Sequence, residues 1–272
     1  MPLAVTSQHS SAHSLLVDRL IDSNNPPALF LDVDGTLIDI AATPDAVHVP
    51  DALPALIAGL AHHLEGAIAL VSGRTIAELD QLFAPIRLAC AGGHGAQLRF
   101  ETDGAIADTP LRHELAPALV EGVAELARLD DRLLFEDKQT SIALHYRAAP
   151  DMTDKLRRLV DDLVAATTAP GDVAPDLIAG KMIYEIKAAG FDKGKAVSQF
   201  IDRDAFSSRP PIMIGDDTTD EKAFAQVRAL GGIALGVGDR AMDVDAVFQH
   251  PADVRHALSQ VLAVALNRTL NF

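Results

Sequence analysis

The sequence contains little cysteine, few aromatic residues and no long apolar run. Cys90 is the single cysteine among 272 residues, so no disulfide can form within the chain. Tryptophan is absent and aromatic residues make up 4%, so stacking platforms for bases or long sugars are not expected. No stretch approaches the roughly 20 apolar residues of a membrane span, and the N-terminus lacks the pattern of a secretory signal. These absences predict a cytoplasmic protein without a membrane partner.

Basic residues are also scarce, and this bears on the possible ligands. The formal net charge is −15, which disfavours binding to nucleic acid and to anionic membranes. Four of the seven lysines nevertheless lie within the fifteen positions 181–195. This local cluster fits either an anionic small molecule or a solvated basic loop.

Short apolar runs alternate with helical patterns near both ends of the chain. The predicted buried strands are 28–31, 67–71, 88–91, 211–214 and 232–237. Strands that alternate with helices predict an α/β fold, with a doubly wound, Rossmann-like parallel sheet covered by helices on both faces. Ligands of such sheets bind at the carboxyl ends of the strands, where the polar motifs of this chain lie.

The middle of the chain has a different pattern. About 120 residues separate Ser72 from Lys193, too many for one crossover between parallel strands. Hairpin-like strands and two helical segments within this stretch predict an α+β insert with mostly antiparallel strands. We predict an N-terminal arm (1–25), a core in two parts (26–107 and 189–272) and an inserted domain (108–188).

The strongest motif, Asp32-Val-Asp34-Gly35-Thr36, directly follows a predicted buried strand. Two carboxylates at positions i and i+2 can converge at the strand end if the chain turns sharply, which Gly35 permits. One carboxylate can attack phosphorus while the other transfers a proton. Together they can also bind a hard cation through oxygen. An ordinary acidic turn is the alternative interpretation.

Two further motifs could hold a phosphoryl group. Ser72-Gly73-Arg74 follows the second predicted strand, where a hydroxyl and nearby N–H groups can donate to phosphoryl oxygens. Lys193 stands at a predicted helix start, where its charge can neutralise a nucleophile and an incoming phosphate. A helix-capping serine and a solvated lysine are the alternatives.

The fourth motif, Gly215-Asp216-Asp217-Thr-Thr-Asp220, places three carboxylates within five positions after an apolar strand. Carboxylates so close together repel one another, and a divalent cation would relieve that repulsion. The motif therefore predicts a metal site.

The four motifs together carry a family resemblance. In their order along the chain, DVDGT, VSGR, DKGKA and GDDTTDE resemble the motifs of the haloacid dehalogenase (HAD) superfamily of phosphatases. The insert between the second and third motifs resembles that superfamily's C2-type cap, and the resemblance covers about residues 28–240. The segments 180–187 and 93–96 are similar to those of trehalose-6-phosphate phosphatases, although that family often has proline where Ala188 or Ala189 stands.

The resemblance implies a mechanism and a set of site residues. The implied nucleophile is Asp32, and the implied acid–base group is Asp34. Ser72 and Lys193 would bind the phosphoryl group. The implied Mg²⁺ ligands are Asp32, the carbonyl of Asp34 and Asp216, and Asp217 and Asp220 would support the metal site. The implied substrate contacts are Thr36, Gly73, Arg74, His94, Lys181 and Glu185. A trehalose-6-phosphate synthase would be the neighbour in the pathway, without implied physical contact.

Lys181 and Glu185 also follow from strand periodicity. Side chains alternate along a strand, so these two share a face with Ile183 between them. An acid and a base on one face suit the hydroxyl groups of a sugar, and an exposed charge pair is the alternative. His94 stands among glycines, which fits a place beside the site or a simple loop histidine.

Other functions remain open on the sequence alone. Another sugar phosphatase, of the sucrose-phosphate or mannosyl-phosphoglycerate type, would keep the same core motifs and differ in the insert. A phosphomutase would need a tightly held bisphosphate. A non-catalytic phospho-acceptor module would also place an aspartate at a strand end, but would lack the second aspartate and the insert. Hydrolysis of trehalose 6-phosphate is the favoured prediction.

Overall fold

The computed structural model describes residues 6–22, 24–41, 46–107, 115–137, 141–180, 182–240 and 242–270. The helices in these ranges are α1 (Thr6–Leu20), α2 (Leu53–His63), α3 (Ile76–Leu82), α4 (Pro117–Ala127), α5 (Thr153–Thr167), α6 (Lys193–Ile201), α7 (Glu221–Ala229) and α8 (Pro251–Leu270). The strands are β1 (Ala28–Leu31), β2 (Ile68–Val71), β3 (Cys90–Gly92), β4 (Gln97–Arg99), β5 (Leu134–Asp137), β6 (Ser141–His145), β7 (Asp176–Gly180), β8 (Ile183–Lys187), β9 (Pro211–Gly215), β10 (Ile233–Val237) and β11 (Ala246–Phe248).

The chain divides into two compact units, and the first contains the predicted parallel sheet. The first unit is Met1–Asp108 with Asp192–Phe272, and the second is Thr109–Phe191. The first unit has a seven-stranded sheet in the order β11-β10-β9-β1-β2-β3-β4, and only β4 pairs antiparallel, with β3. The strands β1, β2 and β9 are buried at every residue, so both faces of the sheet are covered. This arrangement confirms the predicted α/β fold class.

The strand order reverses at β1, which determines where a ligand can bind. Leu31, the last residue of β1, pairs with Leu70 on β2 and with Ile214 on β9. The chain continues from β1 to β2 and β3 on one side, and later returns to β9 and β10 on the other. In an open α/β sheet, such a reversal leaves a crevice outside the carboxyl ends of the strands. Asp32 and Asp216 follow β1 and β9 at this point.

The second unit is a four-stranded antiparallel sheet in the order β5-β6-β8-β7, with its own hydrophobic core. Ile142, Leu144 and Ile186 of this sheet belong to that core, together with residues of α4 and α5. Because side chains alternate along a strand, Glu185 and Lys187 lie on the opposite face. The insert therefore has the α+β composition that its sequence predicted.

Several element boundaries differ from the predictions. The predicted hairpin over 96–107 has only one full strand, β4, which pairs with β3. Its second predicted strand contacts β4 only through an isolated bridge between Ala107 and Leu98. The strand β11 has only three residues and was not predicted. The helix predicted over 111–129 corresponds to α4, which spans Pro117–Ala127. Residues 108–114 lie outside the described ranges.

A buried arginine ties β4 to α3. The Arg99 side chain is 1% exposed, and its Nε donates to the Leu88 carbonyl at 2.7 Å. Its two terminal nitrogens donate to the Asp80 carboxylate at 2.9 and 2.6 Å. Burial alone would raise the pKa of Asp80, but the hydrogen bonds and charges of Arg99 and Arg87 outweigh it and lower that pKa. Asp80 thus remains ionised opposite the buried guanidinium.

Replacing Asp80 by alanine is expected to lower the free energy of unfolding by about 3 kcal/mol, because it leaves a buried guanidinium without its counter-charge. The value lies at the lower end of the usual range because the Asp80 carboxylate is 26% exposed. Urea unfolding followed by circular dichroism would measure the loss. Glu101→Ala, at an exposed position of the same unit, is the control and should change stability little. Equal stability of the two variants would contradict the assigned role of the ion pair.

In the part of the chain that the structure describes, every helix is too short or too polar to cross a membrane. The cytoplasmic location remains a prediction from the sequence.

Candidate active site

The nucleophile candidate lies at the sheet reversal, where β1 ends in a tight turn. Asp32 is buried, and its Oδ2 accepts a hydrogen bond from Thr36 Oγ1 at 3.0 Å. Gly35 has a φ of +86°, and a β-carbon there would lie 2.2 Å from Asp216 Oδ2. Any other residue would clash with Asp216 and would also have to adopt a left-handed conformation. The glycine therefore lets the loops after β1 and β9 approach closely.

A buried lysine joins two of the carboxylates. Lys193, at the start of α6, donates from Nζ to Asp32 Oδ1 at 2.6 Å and to Asp220 Oδ1 at 2.7 Å. The helix start is fixed because the Asp192 side chain caps it, accepting from the Lys195 N–H at 2.8 Å. The ammonium is thereby held between the nucleophile candidate and the fourth motif.

Three buried carboxylates at this place are close enough to share a cation. One oxygen each of Asp32, Asp216 and Asp220 lies within 4.8 Å of the other two. Asp220 Oδ2 also accepts from the N–H groups of Asp216 and Asp217 at 3.1 and 3.0 Å, which fixes its orientation. Oxygen ligands with excess negative charge are the donor set that a hard divalent cation prefers.

The protonation behaviour of the site reflects this excess of negative charge. Burial raises the pKa of Asp32 to about 7; the charge of Lys193 opposes the shift, and the charge of Asp220 adds to it. Burial alone would lower the pKa of Lys193, but the charges of Asp220 and Asp32 outweigh it, so the ammonium persists. Lys193 thus supplies one positive charge beside a cluster of three carboxylates, and a divalent cation would be attracted to that cluster.

The second carboxylate of the first motif pairs with the arginine of the second motif. Arg74 donates from Nε to Asp34 Oδ2 at 2.6 Å and from Nη2 to Asp34 Oδ1 at 2.7 Å. Such a bidentate pair fixes both planar groups. The side chains of Arg74 and Asp34 are 12% and 33% exposed, so Asp34 keeps access to solvent.

The loop after β2 is compact and includes a histidine. Ser72 is buried, and its Oγ accepts from the Arg74 N–H at 3.1 Å. His94 is buried with a φ of +55°, and its N–H donates to the Ser72 carbonyl at 2.9 Å. A β-carbon at Gly73 would lie 2.6 Å from His94 Nε2, so the imidazole packs directly against this glycine. The structure thus brings Ser72, Gly73, Arg74 and His94 together.

Of three further predicted site residues, Asp217 and Glu185 have other described partners, and one lacks a described position. The Asp217 carboxylate accepts from the Thr218 N–H at 2.7 Å and from Arg240 Nη1 at 2.9 Å, and it is not in the cation-sized group. Glu185 belongs to the second unit, where it is buried and accepts from Ser141 Oγ at 2.6 Å. Lys181 lies outside the described residues.

The sequence analysis gave no individual role to two charged residues that the structure places against carboxylates, Arg240 and Lys187. Arg240 follows β10 and contacts both Asp217 and Glu221; its place after an apolar strand was the available signal. Lys187 is buried on the same sheet face as Glu185, and its Nζ donates to Asp176 Oδ2 at 2.9 Å and to the Phe191 carbonyl. The two-residue spacing from Glu185 was the signal for Lys187.

Comparisons with known proteins identify one enzyme family. The trehalose-phosphatase family model matches residues 30–251. A probable trehalose-phosphate phosphatase of Sinorhizobium fredii is 44% identical over 214 residues, which cover 78% of this chain and 77% of that protein. The trehalose-6-phosphate phosphatase of Escherichia coli is 36% identical over 216 residues, which cover 79% and 78% of the two chains.

Solved structures share the fold. The C-terminal domain of a Candida albicans trehalose-6-phosphate phosphatase superposes with a TM-score of 0.80 at 20% identity, covering 92% of this chain and 96% of that one. A phosphatase of the HAD superfamily from Bacteroides thetaiotaomicron superposes with a TM-score of 0.54 at 15% identity, covering 88% and 96%. With the family match over most of its length, this chain belongs to the trehalose-phosphatase family and is a phosphoric monoester hydrolase.

Proposed function

We propose that this enzyme hydrolyses trehalose 6-phosphate through an aspartyl-phosphate on Asp32. The carrying observation is the buried Asp32 carboxylate at the end of β1, oriented by Thr36 and paired with Lys193. A carboxylate fixed in this way can attack phosphorus without first losing a water shell. The named activity of the 36% identical Escherichia coli relative, a trehalose-6-phosphate phosphatase, supports trehalose 6-phosphate as the substrate.

In the first half of the reaction, an oxygen of Asp32 attacks phosphorus and the bond from phosphorus to the sugar oxygen breaks. Asp34 gives its proton to that leaving oxygen, so the sugar departs as a neutral alcohol. Ser72 and Lys193 donate hydrogen bonds to the phosphoryl oxygens, whose charge requires stabilisation as the bonds change. Thr36 and the backbone at Gly73 complete the proposed phosphate contacts.

In the second half, a water molecule attacks the phosphorus of the aspartyl-phosphate. Asp34, now a carboxylate, takes a proton from that water. The bond between phosphorus and Asp32 breaks, which restores the free carboxylate and releases inorganic phosphate. One side chain thus serves as acid and then as base, which requires that it face both the sugar oxygen and the water.

The cluster of three carboxylates fits a Mg²⁺ ion. We assign Asp32, Asp216 and the Asp34 carbonyl as ligands, with Asp220 as the supporting group that also holds Lys193. When bound, the ion offsets charge on the phosphoryl oxygens. Asp217 is better described as fixing the turn before α7, because its carboxylate is engaged by Thr218 and Arg240.

Selectivity for the sugar is proposed to come from the second unit. Glu185 is a buried carboxylate that can accept from sugar hydroxyl groups, and Lys181 can donate to them. His94 and Arg74 are the corresponding candidates of the first unit. A synthase that forms trehalose 6-phosphate would supply the substrate.

Phosphate release from a panel of sugar phosphates, with Mg²⁺ and with a chelator, tests the proposal. We expect trehalose 6-phosphate to have the highest kcat/KM of the panel, which should include sucrose 6-phosphate and glucose 6-phosphate. Chelation should lower the rate by at least about 100-fold, because several kcal/mol of charge stabilisation are lost. A preference for another sugar phosphate would retain the Asp32 chemistry and contradict the substrate. Equal rates with and without chelator would contradict the metal assignment.

A further inference from the structure

The pairing of Arg74 with Asp34 has a consequence for the proposed acid–base step. Both nitrogens of Arg74 that bind Asp34 approach to 2.6 and 2.7 Å, one on each carboxylate oxygen. A carboxylate oxygen has two lone pairs, so this contact leaves one lone pair on each oxygen for a proton or a water molecule. The arginine therefore fixes the plane of the carboxylate without preventing proton transfer.

The arginine itself is held in place. Its N–H donates to Ser72 Oγ at 3.1 Å, and its carbonyl accepts from the Gly93 N–H at 2.8 Å. A β-carbon at Gly92 would lie 2.9 Å from that carbonyl oxygen, so the strand end and the loop are in close contact. The Arg74 side chain is 12% exposed. A rigid backbone and a largely buried side chain are the properties that orient a neighbouring group well.

Among the described residues, the hydrogen bonds of the Asp34 carboxylate come from Arg74, on the loop after β2. Asp34 directly precedes Gly35, which has a positive φ, and its side chain is one-third exposed. Without a partner, an aspartate at such a position would move among several rotamers. Loss of about 1 Å of precision in a reacting group can lower a rate about 100-fold.

We infer that Arg74 is a positioning residue for Asp34, in addition to any contact it makes with substrate. This inference rests on the proposed function, because it assigns to Asp34 the proton transfers described above. It differs from a role in binding phosphate, which would make Arg74 act on every phosphate ester alike. It also differs from a purely structural role, which would not depend on the leaving group.

The dependence on the leaving group tests the inference. A sugar oxygen needs a proton as it leaves, whereas 4-nitrophenolate leaves as a stable anion. The value of kcat/KM reports events up to the first irreversible step, so it separates the acid step from the later attack of water. For Arg74→Ala we expect kcat/KM to fall about 10- to 100-fold with trehalose 6-phosphate, and by a factor at least about ten smaller with 4-nitrophenyl phosphate.

A double-mutant cycle with Asp34→Asn identifies the route of the effect. If Arg74 acts through Asp34, then Arg74→Ala should lower kcat/KM for trehalose 6-phosphate much less in the Asp34→Asn background than in the wild type. Arg74→Lys keeps the charge but cannot form the two-pronged contact, so it should fall between Arg74→Ala and the wild type. Thermal unfolding of each variant distinguishes these effects from loss of the fold.

The outcomes separate this inference from the proposed function. Equal loss with both phosphate esters, or full additivity with Asp34→Asn, would overturn the positioning role while the enzyme remains a phosphatase. A wild type that releases no phosphate from any ester in Mg²⁺ would instead refute the proposed function. If Arg74→Ala does not fold, the same comparisons with Arg74→Lys decide between the two.

Discussion

Replacing Asp32 by asparagine is expected to abolish turnover of every phosphate ester. The amide nitrogen is not a nucleophile, and its oxygen carries too little charge to attack phosphorus. Removing a nucleophile that acts as part of a catalytic unit can lower kcat by roughly 10⁶-fold, which would place the variant near the background rate. Steady-state phosphate release with trehalose 6-phosphate and Mg²⁺ would measure the loss.

The fold of the Asp32→Asn variant should survive, which makes the result interpretable. Asparagine has nearly the same shape, and its oxygen can still accept from Lys193 or Thr36. The exposed Asp39 lies seven positions further along and provides a matched control, because Asp39→Asn should leave the rate unchanged. Retained activity in Asp32→Asn would refute the covalent mechanism and favour direct attack by water.

A measurement on the Asp34→Asn variant tests the intermediate itself. In Asp34→Asn the attack of water should be slowed, so phosphate should accumulate on Asp32 with a substrate such as 4-nitrophenyl phosphate, whose leaving group needs no acid. Acid quenching followed by mass spectrometry of the peptide that contains Asp32 would detect it. Absence of the modified peptide, during observed turnover, would contradict an intermediate at this position.

The general position of the site could be predicted from the sequence because a parallel sheet imposes strong rules. The carboxyl ends of parallel strands meet at one edge, so Asp32, Ser72 and Asp216 were expected to converge there. The structure places them after β1, β2 and β9, and the strand order reverses beside β1. Lys193 was also expected near Asp32, and its Nζ lies 2.6 Å from that carboxylate.

The partners of individual carboxylates could not be predicted in this way. Asp216, Asp217 and Asp220 are equivalent as letters, but Asp217 caps the turn of Thr218–Asp220 and points to Arg240. The pair of Asp34 with Arg74 joins residues 40 positions apart, and nothing in either motif favours that pairing over others. Side-chain directions depend on local backbone geometry, which residue spacing alone does not determine.

Short secondary-structure elements could not be predicted from the sequence either. The strand β11 has three residues, Ala246–Phe248, and such a run lacks the length that makes strand periodicity visible. Its pairing with β10 gives it a place at the sheet edge. Tertiary pairing, rather than local preference, thus decides this element.

Replacing Lys193 by methionine is expected to destroy activity and to make stability depend strongly on the metal. The ammonium is buried and contacts Asp32 and Asp220, so its loss leaves two buried carboxylates without a counter-charge. Breaking a buried pair of this kind costs about 3–5 kcal/mol of unfolding free energy. Methionine fills a similar volume, so the effect reports charge rather than a cavity.

Stability and rate measured with and without Mg²⁺ distinguish the contribution of the Lys193 ammonium from that of the bound cation. In chelator, Lys193→Met should unfold at a lower urea concentration than the wild type, and added Mg²⁺ should restore more stability to the variant than to the wild type. The reason is that a bound cation stabilises the folded state, and it does so most where it relieves the greatest repulsion.

The rate of Lys193→Met should still fall at least about 1000-fold in Mg²⁺, because the phosphoryl group loses a charged donor. Lys195→Met, at an exposed position of the same helix, should retain both stability and activity. A Lys193→Met variant that gains no more from Mg²⁺ than the wild type would contradict a cation site at Asp32, Asp216 and Asp220.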